Sequence, residues 1–244
     1  MRSIVIPIIG IALAAAGAAC GSSSSGSSST TSSPSRSSTA GGATVASDHA
    51  LAQQINLQAG DFPSGWQSQP SSSSGSSTTR TRQLLTCLGV SPSLAATTVD
   101  VDSPNFSQSQ PSGELDAASN VAFAPTTAQV ARSFQAFSSP KANSCVQSVL
   151  AAELKRQNVS SSRTLNVSSA PVADPSGDQA LAFTATTSVM TQGQTVPIEF
   201  QIALVGRGRA EISMLTGGVA ATFPQSLQQS LLSAMTSRAA QIPV

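Results

Sequence analysis

The sequence predicts an α+β fold, a two-layer sandwich in which helices cover an antiparallel sheet. Three observations support this class. The last third of the chain alternates apolar and polar residues with a period of two, helical apolar spacing lies on both sides of that stretch, and short glycine-bearing turns join its segments. Because short turns connect antiparallel neighbours, we expect a C-terminal meander with one apolar face that the helices cover.

The chain of 244 residues begins with an export signal. Arg2 precedes an apolar run from Ile4 to Ala19, and small residues lead into Cys20. The run is shorter than the roughly 20 residues that cross a bilayer, and it contains proline and glycine, which argues against a retained transmembrane anchor. We therefore expect residues 1–19 to be a signal peptide that is removed.

The residues around Cys20 resemble a bacterial lipobox, in which the cysteine becomes the lipid-modified N-terminus after cleavage. Gly17 stands where this pattern usually has leucine or another aliphatic residue, so cleavage by an ordinary signal peptidase is the alternative, and the effect of Gly17 on processing stays open. We expect acyl chains such as palmitate on Cys20 to hold the protein at the extracytoplasmic face of the cell membrane.

A segment rich in serine, threonine and glycine follows Cys20, and it has almost nothing apolar to bury. We expect residues 20–44 to form a flexible tether with a root-mean-square span of about 25 to 30 Å. The remaining residues, 45–244, are long enough for a single extracytoplasmic domain.

The first half of this domain contains two predicted helices and two predicted strands. Ser47 or Asp48 caps a helix with apolar residues up to Leu57, and a serine-rich loop over 70–79 precedes a short helix with Leu84, Leu85 and Cys87. Alternating residues predict strands over 97–102 and 117–124.

Two further helices and the meander follow. Thr126 or Thr127 caps a helix with Val130, Phe134 and Phe137, and the next helix covers 142–157. The meander strands run around Leu181–Val189, Val196–Leu204 and Ala210–Met214, with turns at 192–194 and 206–208. A final helix over 224–240 presents an apolar stripe to the same face of the sheet as Phe200. The stripe consists of Phe223, Leu227, Leu231, Ala234 and Met235.

Composition excludes several classes of function. The chain has 12 basic and 11 acidic residues, and 9% of its residues are charged, against about 25% in an average protein. This excludes an electrostatic binder of nucleic acid. One histidine and three cysteines are too few for the usual zinc, iron–sulfur or triad sites, so we expect no metal, no cofactor and no enzymatic activity.

Two cysteines, Cys87 and Cys145, lie in the exported domain, where a pair of thiols usually oxidises. We expect a disulfide between them. Two separate buried thiols are the alternative.

Three other groups of residues are candidates for chemistry. Ser138 and Lys141 match S-x-x-K, which would support a cell-envelope serine hydrolase, but a turn between two helices is the favoured interpretation. Asp100 and Asp102 share a strand face with two acidic residues nearby, and a solvent-facing edge is favoured over a cation site. Trp66 follows Pro63 and Gly65 in a turn, and it either fills the core or lines the mouth of an apolar ligand cleft.

Several segments of the chain stand in a recognisable order. They are Phe62–Trp66, Leu85–Leu88, Val121–Phe123, Cys145 and Gly177-Asp178, followed by the meander and the last helix. Together they resemble an actinobacterial, mycobacterial-type lipoprotein with a PknH-like extracellular sensor domain, and a Mog1/PsbP-like lipoprotein domain is the alternative. The resemblance implies an antiparallel sheet flanked by helices, with a ligand cleft and two disulfides. Only one disulfide is possible in the domain here, and the resemblance brings no catalytic residue.

These observations favour a membrane-tethered extracytoplasmic lipoprotein with a non-enzymatic, ligand-binding or sensor-like domain. Its partner would be an apolar or mixed small molecule or an envelope protein, with Trp66 as the candidate binding residue. A serine hydrolase that uses Ser138 and Lys141, and a purely structural envelope lipoprotein, are the alternatives.

Overall fold

The structure is a computed structural model that describes residues 40–71, 76–156, 164–172, 179–191 and 193–242. The predicted signal peptide, Cys20, most of the predicted tether and the Gly177-Asp178 motif lie outside these residues. None of the described helices combines the length and the hydropathy that a membrane span requires.

The described residues form five α-helices and eight strands. The helices are α1 (Ala40–Ile55), α2 (Ser76–Leu88), α3 (Thr127–Phe137), α4 (Ala142–Arg156) and α5 (Gln225–Ala239). The strands are β1 (Gln67–Gln69), β2 (Val99–Asp102), β3 (Asn105–Gln110), β4 (Gly113–Phe123), β5 (Asn166–Pro171), β6 (Gln179–Thr191), β7 (Gln194–Arg207) and β8 (Ala210–Val219).

All eight strands belong to one antiparallel sheet in the order β1-β3-β4-β8-β7-β6-β5, and β2 also pairs with β4. The predicted α+β class and the C-terminal meander β6-β7-β8 are confirmed. Gly208 has a φ of 53° in the turn between β7 and β8, a left-handed conformation that glycine adopts without steric cost.

Helices cover both faces of the sheet, so the fold has three layers where the sequence predicted two. Helices α2, α3 and α4 pack on the face that carries Phe200, Ile202 and Leu204. Helices α1 and α5 pack on the opposite face, against Ala203 and Val205. Two cores form because the second half of β7 is apolar on both of its faces.

The final helix therefore covers the face opposite to the predicted one. Its buried residues Leu231 and Met235 contact the core that contains Ile212 and Met214. Phe200 lies on the other face, under α3 and α4. The alternation of apolar residues in β7 predicted the strand correctly, but it did not show which helices cover each face of the sheet.

Several boundaries differ from the predicted ones. Helix α1 begins at Ala40, within the predicted tether, and it ends before Leu57. Helix α2 begins at Ser76, within the predicted loop. Strand β3 was not predicted because Phe106 is its one apolar residue, and pairing with β1 and β4 holds it in place.

The other helix predictions are confirmed. The Thr126 side chain accepts a hydrogen bond from the Gln129 amide at the start of α3, and α4 follows at Ala142. The final helix, predicted over 224–240, is present as α5.

Polar side chains attach α1 to the sheet. Arg209 donates to both carboxylate oxygens of Asp48, at 2.9 and 2.8 Å. The Ser119 hydroxyl donates to Asn56 Oδ1 at 2.8 Å, and the same hydroxyl accepts from the Leu57 amide. The carboxylate of Asp48 is buried, so its guanidinium partner is needed for stability.

The predicted disulfide is present and links α2 to α4. The Cα atoms of Cys87 and Cys145 are 5.6 Å apart, and the bond spans 58 positions of sequence. Cys145 is buried in the core under α3 and α4, so the bond holds α2 against that core.

Candidate functional site

Trp66 lies in a cluster of aromatic rings at one end of the core between the sheet and helices α1 and α5. Its ring centroid is 4.7 Å from that of Phe62 and 5.8 Å from that of Phe223, and Phe62 stacks on Phe106. The residue is half-buried, and its indole nitrogen is buried without a hydrogen-bond partner. Trp66 lines neither of the two cavities described below. A role for Trp66 in ligand binding stays a prediction.

Ser138 and Lys141 lie on an exposed turn between α3 and α4, as the favoured interpretation expected. The Ser138 amide donates to the Phe134 carbonyl at 2.9 Å and so ends α3. Neither residue lines either of the two cavities. The favoured turn is present, and the serine-hydrolase alternative stays a prediction.

The paired carboxylates of Asp100 and Asp102 lie on β2 and share one donor. The Asn120 amide donates to Asp100 Oδ1 at 2.5 Å and to Asp102 Oδ1 at 2.9 Å. Asp100 is exposed as a residue, but neighbouring atoms shield its carboxyl, and this desolvation raises its pKa to about 6. The hydrogen bond from Asn120 opposes the increase and the charge of Asp102 adds to it. Among the described residues no group of three potential metal ligands occurs.

Asp116 on β4 is the second acid with a strongly shifted pKa. Burial raises its pKa to about 7, and the negative charge of Glu114 contributes to the same increase. Its Oδ2 atom is buried without a hydrogen-bond partner. A protonated carboxyl suits this position, because a neutral acid needs less solvation than a carboxylate.

The smaller of the two cavities lies between the sheet and helices α2 and α3, and its volume is about 40 Å³. Its walls are mainly leucine and phenylalanine, with Ser133 and Glu211 among its polar groups. Burial raises the pKa of Glu211, and a hydrogen bond with Ser133 opposes that increase. The Glu211 Oε1 atom is buried without a partner. The volume suits ordered water rather than a larger ligand.

The larger cavity is an open groove of about 520 Å³ at the end of the meander, and we call it the hydroxyl groove. Its volume falls in the range that small-molecule sites usually have. Most of its lining side chains carry a hydroxyl, an amide or a methyl group. The lining residues are Ser112, Thr164, Asn166, Thr186, Thr187, Ser188, Pro197, Ile198, Glu199, Ala220, Ala221 and Thr222.

Strand register brings the polar groups of the groove into one row. Asn166 on β5 pairs with Thr186 on β6, Thr186 pairs with Glu199 on β7, and Glu199 pairs with Gly218 on β8. Directly paired residues of neighbouring strands project to the same face of a sheet. The row therefore presents an amide, a hydroxyl and a carboxylate side by side, and Gly218 leaves the end of the row without a side chain.

The wall of the groove beyond β8 contains an unusual backbone. Ala220 has a φ of 56°, which is uncommon for a residue other than glycine, and its amide donates to the Pro197 carbonyl at 2.9 Å. This bond closes the turn against the start of β7. The chain then passes Ala221 and Thr222 along the groove and enters α5.

No sequence pattern indicated the hydroxyl groove. Its serines and threonines are the residue types that also fill the predicted tether, so composition does not distinguish them. The lining residues come from five separate segments, and the tertiary structure brings them together. The predicted cleft was apolar, whereas eight of the twelve residues that line this groove have polar side chains.

Comparison with solved structures returned two mycobacterial proteins. The extracellular domain of PknH from Mycobacterium tuberculosis has a TM-score of 0.42 and 11% identity, and the match covers 79% of this chain and 97% of that domain. LpqN from the same organism, described as involved in cell envelope biogenesis, has a TM-score of 0.28 and 15% identity, with coverage of 74% and 78%. The first is the type of domain that the sequence resembles. No family model and no curated protein matches the chain.

Proposed function

We propose that this protein is a membrane-tethered extracytoplasmic domain that binds a small polar ligand in the hydroxyl groove without transforming it. The groove itself carries the proposal, because its volume of about 520 Å³ fits a small molecule and its polar side chains converge from five segments. Export and tethering follow from the sequence of residues 1–44.

The lining of the groove selects the class of ligand. None of its described lining residues is lysine, arginine or histidine, and Glu199 is its one carboxylate. An anionic ligand would therefore meet repulsion without compensation. Hydroxyl and amide groups both donate and accept hydrogen bonds, so they match a ligand with several hydroxyls. The ligand class is a neutral or amine-bearing polyol.

Calorimetric titration of the chain from Gly21 to Val244 tests this proposal. The probes are a neutral oligosaccharide, its amino-sugar analogue and its uronic-acid analogue. We expect the order of affinity to be amino sugar, then neutral sugar, then uronic acid, because Glu199 attracts a cation and repels an anion.

Two variants and one control locate the binding. Glu199→Gln removes the preference for the amine, and Thr186→Val weakens binding of every probe, since a hydroxyl in the row is lost. Thr195→Val, on the same hairpin but outside the lining, leaves affinity unchanged. Equal affinity for all three probes, or equal loss in Thr195→Val and Thr186→Val, contradicts the proposal.

The lipid anchor has its own test. Cys20→Ala moves the protein from the membrane fraction to the soluble fraction after a salt wash, since acyl chains resist salt whereas charge contacts with lipid headgroups are screened by it. Metabolic labelling with a palmitate analogue marks the wild type and leaves the variant unlabelled. Labelling of both proteins would place the lipid elsewhere and refute the assignment of Cys20.

A further inference from the structure

Charge is distributed unevenly between the layers of the fold. The helices α2, α3 and α4, with the turn at Lys141, carry six basic residues and one acidic residue. The rest of the described chain carries three basic and eight acidic residues. The basic residues of the helical layer are Arg80, Arg82, Arg132, Lys141, Lys155 and Arg156, and its acid is Glu153. A nearly neutral sequence thus folds into a domain with one strongly basic layer.

Five of these cations face solvent. Arg82, Arg132, Lys141, Lys155 and Arg156 are exposed, and Arg156 pairs with the buried Glu153. Of the eight other acids, Asp48 and Asp61 lie on the α1 and α5 side, and six lie on sheet strands, where Asp100, Asp102 and Glu211 project to the face that α2–α4 cover. Two of them are already neutralised, because Asp48 binds Arg209 and Asp61 binds Arg238. The outer surface of α2–α4, which we call the basic face, therefore has a net positive field that the sheet acids only partly offset.

We infer that the basic face docks on the anionic headgroups of the lipid bilayer. The inference rests on the membrane attachment in the proposed function and adds an orientation to it. A cluster of basic residues gains binding free energy only within about 10 Å of an anionic surface, and a lipid anchor keeps the domain close to such a surface. The polyanion nearest to a tethered domain is the membrane that holds it.

The tether is long enough to permit this orientation. Helix α1, where the tether enters the structure, packs on the face of the sheet opposite to the basic face. About 20 residues separate Cys20 from Ala40, and they reach at most about 65 Å when extended. A helix–sheet–helix stack with layers about 10 Å apart is much thinner than this reach. The domain can therefore turn until α2, α3 and α4 meet the headgroups.

This orientation keeps the hydroxyl groove accessible. The groove is lined by Ser112, by residues of and next to β5–β7, and by the turn after β8, and no residue of α2, α3 or α4 lines it. Docking through the basic face leaves its mouth free, so membrane contact and ligand binding use separate surfaces.

Vesicle sedimentation with the unacylated chain from Gly21 to Val244 tests the basic face without the anchor. We expect binding to vesicles that contain about 30 mol% phosphatidylglycerol in phosphatidylcholine, no binding to pure phosphatidylcholine, and release at about 0.5 M NaCl. Arg132→Gln combined with Lys141→Gln lowers the partition coefficient about 25-fold, since each lost cation reduces it about fivefold.

A matched control separates local from overall charge. Gln225→Glu combined with Gln229→Glu changes the net charge by the same amount, but both residues are exposed on α5 in the other layer. This variant keeps most of the partition coefficient. Equal losses in the two double variants would refute a defined docking face, provided that circular dichroism shows both to be folded.

Two further outcomes complete the test. Failure to bind anionic vesicles, with binding to soluble polyglutamate, would assign the basic face to an anionic polymer or protein and overturn the inference. The groove variants Glu199→Gln and Thr186→Val leave vesicle binding unchanged. The chain used in this assay begins at Gly21 and lacks Cys20, so the result does not depend on the lipid anchor. Failure of the basic face is therefore distinguishable from failure of the groove or of the anchor.

Discussion

Phe134 of α3 occupies the space above Gly206 of β7 that a side chain would need. A Cβ atom at Gly206 would lie 2.7 Å from Phe134 Cε2 and 2.9 Å from Val130 Cγ1. Gly206 does not have a positive φ, so its role is close approach rather than backbone conformation. The missing side chain lets α3 pack directly on the end of the meander.

Gly206→Ala should therefore destabilise the domain. We expect the free energy of unfolding to fall by about 1 to 3 kcal/mol, because an extra methyl group displaces Phe134 in a packed core. Urea denaturation followed by circular dichroism measures the change. Gly60→Ala is the control, since no atom lies within 4 Å of its added Cβ. Unchanged stability in Gly206→Ala would mean that α3 is not held at this position.

Trp66 and Phe200 differ in burial, so their replacement by alanine should lower the free energy of unfolding by different amounts. Phe200 is 7% exposed, and Phe200→Ala should cost about 3 to 5 kcal/mol. Trp66→Ala should cost clearly less, because part of its side chain remains in contact with water. The same denaturation assay measures both. Equal losses would assign Trp66 fully to the core and remove it as a candidate for ligand contact.

Asp116 should make the domain less stable as the pH rises. Its pKa is about 7 in the folded state and near 3.8 in the unfolded state, so folding is favoured while the carboxyl holds its proton. The stability that the protonated Asp116 contributes is fully present below the unfolded pKa, and it is lost as the pH rises through the folded pKa. We expect this group to contribute a fall in the free energy of unfolding of about 2 to 3 kcal/mol between pH 5 and pH 8.

Asp116→Asn tests this effect, since an amide resembles the protonated acid. The variant should match the wild type near pH 3, below the unfolded pKa, and exceed its stability by an increasing amount as the pH rises to 8. Glu199→Gln, a change at an exposed carboxylate, serves as the control and should keep the slope of the wild type. An identical pH dependence in the wild type and Asp116→Asn would show that Asp116 is solvated as a carboxylate.

The disulfide between Cys87 and Cys145 should resist alkylation in the folded, secreted protein. Intact-mass measurement without a reductant should show neither thiol modified. Its removal by Cys87→Ala and Cys145→Ala should cost about 4 kcal/mol, because the bond closes a long loop and restricts the unfolded chain. Modification of both thiols without reductant would contradict the structure.

The sequence predicted those features that local pattern controls. Period-two alternation located β6, β7 and β8, and helical spacing located α3, α4 and α5. The number of cysteines restricted the disulfide of the domain to one pairing. Export and tethering were predicted in the same way, from the run before Cys20 and the composition after it.

Only the tertiary structure decided which surfaces meet. Leu204 and Val205 are neighbours in β7, and both are apolar, so the sequence does not show which helices each one contacts. In the structure Leu204 lies in the core under α3, and Val205 lies in the core under α5. The hydroxyl groove depends on strand register, which places Asn166 of β5 and Glu199 of β7 on either side of Thr186 of β6. The composition shows only that the chain is nearly neutral, whereas the fold shows that most of its basic residues lie in the layer of α2, α3 and α4. Periodicity fixes the faces of an element, whereas the contacts between elements depend on long-range packing that no local pattern records.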